Sequence, residues 1–325
     1  MQLHRRRFLR LLAGVPGLPA IMRSARAQTY PSRPVRIIVG FAAGGTPDIV
    51  ARVVGQWLSE RLGQQVVVDN RTGAGGNIAV EIVVNAPGDG YTLLLVPTAA
   101  AINATLYDKL NFDFIRDIAP VAGVTRIPNI MLVNPSVPAH SVAEFITYAK
   151  ANPGRVNMAS AGVGSGPHLA GELFKMMAGV DMVHVPYRGG PPALKDLIAG
   201  QVQVLFINGS VSEDIRAGRL RALAVTSAMR SAEFPDVPTV SEFLPGYEAS
   251  TWFGIGAPKN TPVEVIDRLN KEINAGLADP KVQARFADMG GTSLGGSPES
   301  FRRLIEDETD KWGKFIRFAG IKLVE

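Results

Sequence analysis

An α/β fold in two lobes is what this sequence predicts, and three observations predict it. Short runs of Val, Ile and Leu alternate with stretches of helical periodicity. The runs fall into two groups, divided by passages where the chain can change lobe. The length also argues for division: once the leader described below is set aside, about 298 of the 325 residues remain, at the upper edge of what one hydrophobic core accommodates.

Taken in order, the strand-like runs are Val35 to Val39, Val66 to Val68, Thr92 to Val96, Ile130 to Val133, Met182 to Val185, Val202 to Phe206 and Ala222 to Val225. Each is short and apolar enough to be a buried strand. Between the first two lie Val50, Val53, Val54, Trp57 and Leu58 at helical spacing, ending at Gly63 as a C-terminal cap. Strand followed by helix, repeated, reads as α/β. Ser141 with Glu144 and Thr261 with Glu264 have capping-box spacing, and Pro262 and Pro298 stand where a first-turn proline is tolerated. Two or three terminal helices are expected, from Pro262 to Gly276, about Pro280 to Met289, and Pro298 to about Phe318. Crossovers are placed near residues 125 and 240, so that 28–125 and 241–325 form lobe one, including a strand at Trp252 to Ala257, and 126–240 form lobe two. Two such crossings make a hinge.

Residues 1–27 read as a leader. His4-Arg5-Arg6-Arg7-Phe8-Leu9-Arg10 precedes a short apolar stretch broken by glycine and proline, and Ala25-Arg26-Ala27 offers a small-residue cleavage site before Gln28. That is the anatomy of a twin-arginine export signal, cleaved after Ala27. A membrane anchor would need about 20 continuous apolar residues. Six of the 34 basic residues lie in this leader, which leaves 28 against 29 acidic residues in the mature chain. A near-neutral mature protein offers no general field for nucleic acid or an anionic membrane, and a periplasmic monomer is expected. The absence of cysteine removes disulfides, thiol nucleophiles and cysteine zinc sites.

Three glycine-rich turns between strand and helix are candidate binding loops: Gly40 to Asp48, Asn70 to Asn77, and Ser160 to His168. Glycine lets backbone amides approach a ligand, and a helix N-terminus presents unpaired N–H groups with partial positive charge. Each turn is either an anion cradle or simply a tight turn with close packing. The first also fits loosely a nucleotide-binding loop, with Asp69 ending the next strand, although Gly40, Gly44 and Gly45 lack the G-x-G-x-x-G spacing. An exported nicotinamide-dependent oxidoreductase is therefore the rival reading. No metal or catalytic set is assigned: His168 with Glu172 is an isolated pair, Gly164-Ser165-Gly166 lacks the spacing of a nucleophile elbow, and His184 reads as a core histidine.

At these residues the chain resembles the Bug-type solute-binding receptors of tripartite tricarboxylate transporters. The resemblance runs from Tyr30 to about Lys322, through Asp48-Ile49-Val50-Ala51-Arg52, Gly73-Ala74-Gly75-Gly76-Asn77, Asp89-Gly90-Tyr91, His168 to Phe174, His184 to Gly189 and Asp236-Val237-Pro238-Thr239. It implies a type II periplasmic-binding-protein fold, a carboxylate held in the cleft by backbone amides and waters, no cofactor, and delivery to the transporter's membrane subunits. An orphan sensor with the same fold stands beside that reading. Carried over by position, the ligand contacts are Phe41, Gly44, Gly45, Thr46, Asp48, Thr98 and Asn103 from lobe one, and Ser160, Gly162, Gly164, Ser165, His168, Tyr187 and Asn208 from lobe two. Asp48 is expected to order its loop as a helix cap. The chain departs from the family at Ala42-Ala43, at Ala99-Ala100 and at Pro167. It departs again at Phe206-Ile207-Asn208, where many members carry aspartate directly after the phenylalanine. Ile207 cannot pair with a cation, so the ligand is expected to lack an α-ammonium group unless water or Asn208 supplies a partner.

Overall fold

A strand covered by helices on both faces must be apolar on both, and Val35–Val39 meets that condition, with four of its five residues buried. In the computed structural model, which describes residues 30–209, 211–231 and 234–321, this run is β1. It is followed by α1 (Thr46–Leu62), β2 (Val66–Asn70), α2 (Asn77–Val84), β3 (Thr92–Pro97), α3 (Thr98–Leu106), α4 (Phe114–Asp117) and β4 (Ile118–Pro128). A second series comprises β5 (Ile130–Val133), α5 (Val142–Ala151), β6 (Asn157–Ser160), α6 (Gly166–Ala178), β7 (Val183–Pro186), α7 (Gly190–Ile198), β8 (Val204–Ile207), α8 (Ser212–Arg216) and β9 (Arg221–Val225). The chain finishes with β10 (Ser250–Pro258), α9 (Val263–Leu277), α10 (Pro280–Ala287), β11 (Thr292–Gly295) and α11 (Pro298–Ala319). The leader and its cleavage site lie outside the described residues.

The strands make two sheets, one for each lobe, in the orders β11-β4-β10-β3-β1-β2 and β7-β6-β8-β5-β9. Strand alternation feeds a core on each face. In the first sheet Ile37, Val39, Leu93 and Leu95 pack toward α1 and α9, while Ile38, Leu94 and Val96 pack toward α2 and α11. In the second, Met131, Val133 and Phe206 face α5 and α6, while Ile130, Leu132 and Ile207 face α7. The cores are not separate. Ile102 and Leu106 of α3, with Trp312 and Ile316 of α11, belong to the cluster that backs the second sheet. Glycine is required at 254, where a Cβ would lie 2.1 Å from the Phe301 ring.

The sheets exchange at Asn129, beyond position 125, because β4 continues in the first sheet until Pro128 pairs with Ser250. The return comes later than position 240 as well. Val240, Tyr247 and Ala249 still pack on the second sheet's core, and Ser250 re-enters the first. Hydrogen bonds strap the two crossings together: the Asn129 N–H donates to Thr226 Oγ1 at 2.8 Å, and the Asn129 amide and the Thr226 hydroxyl both donate to the Ala249 carbonyl at 2.8 and 2.7 Å.

Capping follows the sequence in part. Ser141 Oγ accepts from the Glu144 N–H, but the Glu144 carboxylate turns to the His140 N–H, so the pair is not a closed box. Thr261 does not cap its helix; its hydroxyl donates to the Pro258 carbonyl and Pro262 takes the capping position. A complete capping box stands instead at Thr239 and Glu242. Among the described residues, no helix is long and apolar enough to cross a membrane.

Candidate functional site

Three helices begin at the gap between the lobes, each with proline as its second residue: α1 at Thr46-Pro47, α6 at Gly166-Pro167 and α7 at Gly190-Pro191. Proline lacks an N–H and has φ suited to a helical first turn, so it opens a helix without losing an intrahelical bond. The starts surround a cavity of about 240 Å³, below the roughly 300–1,000 Å³ typical of sites for drug-sized ligands. Lobe one supplies Phe41, Gly44, Gly45, Thr46 and Ile49, with Pro97 and Ala99 from the β3–α3 junction and Thr251 and Phe253 from β10. Lobe two supplies Ala161, Ser165, Gly166, Leu194, Ile207, Asn208 and Val211.

The lobes touch across this cavity. Thr46 Oγ1 donates to the Asn208 carbonyl at 2.9 Å. A Cβ on Gly209, whose φ is +110°, would meet the same hydroxyl at 2.7 Å, and one on Gly189 would approach Ala42 Cβ at 3.2 Å. Glycine is therefore needed at 209 both for its backbone conformation and for the close approach.

Six of the residues carried over by position line the cavity: Phe41, Gly44, Gly45, Thr46, Ser165 and Asn208. The other eight stand behind it. Asp48 is the third residue of α1 and shapes the loop from below, its Oδ2 accepting from the Gly44 N–H and from Arg52, each at 2.9 Å. Burial opposes its ionisation, but Arg52, the Gly44 amide and Asn70 outweigh it and hold its pKa below the ordinary value. Thr98 is fully buried, and its hydroxyl accepts from the Trp252 N–H at 2.7 Å. Asn103 donates to the Gly75 carbonyl and to Asn77 Oδ1, both at 3.0 Å. The Tyr187 hydroxyl donates to Asp196 at 2.6 Å.

Ser160, Gly162, Gly164 and His168 form a network behind the third turn. Ser165 Oγ caps α6 by accepting from the His168 N–H and donates to the Gly162 carbonyl. The Gly164 N–H donates to His168 Nδ1 at 3.3 Å, so Nε2 carries the ring proton and faces Glu172 at 3.9 Å. The His168 ring stacks on His184 with centroids 4.0 Å apart, and His184 Nε2 is 2.7 Å from Ser160 Oγ. Burial, then His184 and Lys175, push the His168 pKa well down; burial and Lys175 lower that of His184 to about 4.

The sign follows. Both rings are neutral when folded, whereas the unfolded chain protonates them near 6.5, so their stabilisation is complete above that pH and is lost on acidification toward about 4. Between pH 6.5 and 5, the unfolding free energy from urea titration should fall by about 1.4 kcal/mol per pH unit for each proton taken up on unfolding. His184→Gln should flatten that slope, and a wild-type stability that is level across this window would refute the assignment.

Sequence reasoning missed Leu194, Val211, Thr251 and Phe253 as cavity residues, as well as the third helix start. A signal for the start exists, since Gly189-Gly190-Pro191 repeats the glycine-then-proline pattern of the other two. The rival nucleotide loop finds little support in the geometry. Asp69 is engaged by Arg36 at 2.6 Å and Arg71 at 2.9 Å, and a Cβ on Gly40 would lie 2.7 Å from Gly76 Cα. That glycine serves the contact of two loops. Among the described residues no group of three His, Asp or Glu could hold a metal ion.

Comparison with known proteins agrees with this geometry. Residues 50–321 match the family described as tripartite tricarboxylate transporter family receptor. The UPF0065 protein in the tcbD-tcbE intergenic region of Pseudomonas sp. strain P51 is 41% identical over 313 residues, covering 94% of this chain and 93% of its own. The structure of R. palustris Rpa4515 with adipate superposes with a TM-score of 0.87 at 38% identity, covering 91% of this chain and all of that one. MatC from Rhodopseudomonas palustris with bound malate gives a TM-score of 0.83 at 31% identity, covering 88% and 99%. Two α/β lobes, a cleft ringed by helix starts and these matches along nearly the whole length lead to one conclusion: the chain belongs to the tripartite tricarboxylate transporter family of periplasmic solute-binding receptors.

Proposed function

We propose that this receptor captures a small carboxylate between its lobes and delivers it to the membrane subunits of a tripartite tricarboxylate transporter. The observation that carries the proposal is a cavity with helix N-termini at its rim and, among the described residues, no charged side chain in its lining. Backbone amides at helix starts solvate an anion without a buried counterion to desolvate. The adipate and malate held by the two related structures support the same class of ligand.

In this reading lobe one comprises the chain through Pro128 and again from Ser250, and lobe two the stretch between. Asn129 and Ala249 are the hinge points, and the Thr46–Asn208 hydrogen bond closes the cleft over the ligand. A twin-arginine signal ending at Ala27 takes the protein to the periplasm.

Protein recovered from the periplasmic fraction of its producer should begin at Gln28 by mass spectrometry. A panel of mono-, di- and tricarboxylates should contain at least one that raises its unfolding midpoint by several degrees, since ligand at 100 times Kd contributes about 2.7 kcal/mol. That ligand should also reduce the radius of gyration in small-angle scattering. Failure of every carboxylate, with tight binding and turnover of a nicotinamide nucleotide instead, would overturn the proposal.

A further inference from the structure

We infer that the cleft selects a monocarboxylate with a compact apolar body, aromatic or alicyclic, over dicarboxylates, hydroxy acids and amino acids. The inference rests on the carboxylate-receptor reading and narrows it, because apolar side chains outnumber polar ones around the cavity and, among the described residues, no lining side chain is charged.

Among the described residues four lining side chains are polar, and each makes a hydrogen bond within the protein. Thr46 donates to the Asn208 carbonyl and Ser165 to the Gly162 carbonyl. Asn208 Nδ2 and Thr251 Oγ1 converge on Asn129 Oδ1, at 3.2 and 3.4 Å. Among the described residues, the three lining hydroxyls are thus engaged within the protein.

Backbone donors gather at the helix starts. A helix start leaves its first N–H groups without intrahelical acceptors, but Pro47, Pro167 and Pro191 remove the second amide from each of the three helices. On α1, the Gly44 and Gly45 amides are taken by Asp48 Oδ2 and the Ala42 carbonyl. On α6, the Ser165 and His168 amides go to the Gly162 carbonyl and to Ser165 Oγ. Thr46, Gly166 and Gly190, whose first-position amides have no intrahelical acceptor, line the cavity. Three N–H groups satisfy the two oxygens of one carboxylate. A second carboxylate, or a hydroxyl, laid against the apolar side chains of the cavity would give up its hydrogen bonds to water, a loss that sharply lowers affinity.

The remaining wall is apolar. Ile49, Ala99 and Phe253 face the cavity from lobe one, and Leu194, Ile207 and Val211 from lobe two. Ile207 Cδ1 lies 3.1 Å from where a Gly190 Cβ would be, so an isoleucine stands beside one of the three amides. An ammonium group there has no anionic side chain to meet, whereas a hydrocarbon ring displaces water from apolar surface.

The test is isothermal titration of the mature protein with benzoate, cyclohexanecarboxylate, adipate, malate, glutamate and benzamide, the last a neutral isostere. Benzoate or cyclohexanecarboxylate should bind at least tenfold more tightly than adipate or malate, a difference of about 1.4 kcal/mol, with glutamate weaker still and benzamide at least tenfold weaker than benzoate. Adipate or malate equal to or tighter than both ring acids overturns the inference but leaves the receptor reading standing. Benzamide equal to benzoate, with no preference for any carboxylate, overturns the receptor reading as well. Leu194→Asn, at a half-buried helix position, should weaken benzoate at least fivefold. Unchanged benzoate binding in folded Leu194→Asn protein contradicts the apolar-wall argument.

Discussion

Trp312→Ala should lower the midpoint of thermal unfolding by on the order of 10 °C. The indole is 1% exposed and sits in the core that backs the second sheet, although its helix follows the last strand of the first. Truncating a buried tryptophan costs about 3–5 kcal/mol through lost contacts and the cavity left behind, and each kcal/mol moves the midpoint of a domain of roughly 150–250 residues by about 2–4 °C. The indole N–H also donates to Glu308 Oε2 at 2.9 Å, so the substitution leaves a nearly buried carboxylate with Lys311 Nζ, 3.8 Å away, as its remaining partner. Because α3 and α11 contribute to that core together with α5 and α6, both lobes should melt in one shifted transition. Two transitions, of which one keeps its wild-type midpoint, would show that the lobes do not share a cooperative core.

The second large effect is expected for Asn129→Asp, an isosteric change at a fully buried position. Asn129 Oδ1 accepts from Asn208 and Thr251, so an oxygen there is already suited to its neighbours. The other new oxygen would replace Nδ2 and face the Ala249 carbonyl, now an acceptor 2.8 Å away. Burial and that carbonyl both disfavour the ionised form and raise the folded-state pKa of the introduced carboxyl. The sign is opposite to that of the histidine pair: the variant's deficit is small below about pH 3.9, where the unfolded carboxyl is also neutral, and grows as pH rises. At pH 7 a loss of about 3–5 kcal/mol relative to wild type is expected, the range found when a buried charge lacks its partner. Any fraction that does ionise places a negative charge against Asn208 and Thr251, two cavity residues, and should weaken carboxylate binding. Equal deficits at pH 5 and pH 8 by urea titration would refute this account.

What could be read in the sequence was whatever local chemistry decides. Apart from the exposed Arg36, Val35 to Val39 and Ile130 to Val133 are apolar because helices cover both their faces, and their limits agree with β1 and β5. β4 escaped notice because Pro120, Gly123, Thr125 and Arg126 interrupt its apolar character; as an 11-residue strand between β10 and β11 it owes its form to partners distant in sequence. β6, Asn-Met-Ala-Ser, has no β-branched residue, and β11 is a short edge strand. The cavity divides in the same way. Gly44 to Pro47 and Ser165 to Pro167 announce helix starts by their own residues, whereas Thr251 and Phe253 reach the cavity because β10 returns to the middle of the first sheet. Resemblance gives a residue its place in the chain but not the direction of its side chain. Thr98 and Asn103 therefore turned out to be braces for Trp252 and for the Gly75 turn.

That return of β10 dictates an order of events during synthesis. The strand pairs with β3 on one side and β4 on the other, and all nine of its residues are buried. A ribosome releases β1, β2 and β3 first, yet the flank of β3 cannot be covered until Pro258 has emerged. The second sheet draws all its strands from one uninterrupted segment that ends at Val225, so it can close while the first is still unfinished. At about 5–20 residues per second, the nascent chain carries an unpaired apolar flank at Leu93 to Val96 for on the order of ten seconds or longer. The amino-terminal sheet, first to be translated, is thus the last to be completed, and a chaperone has that interval in which to hold it.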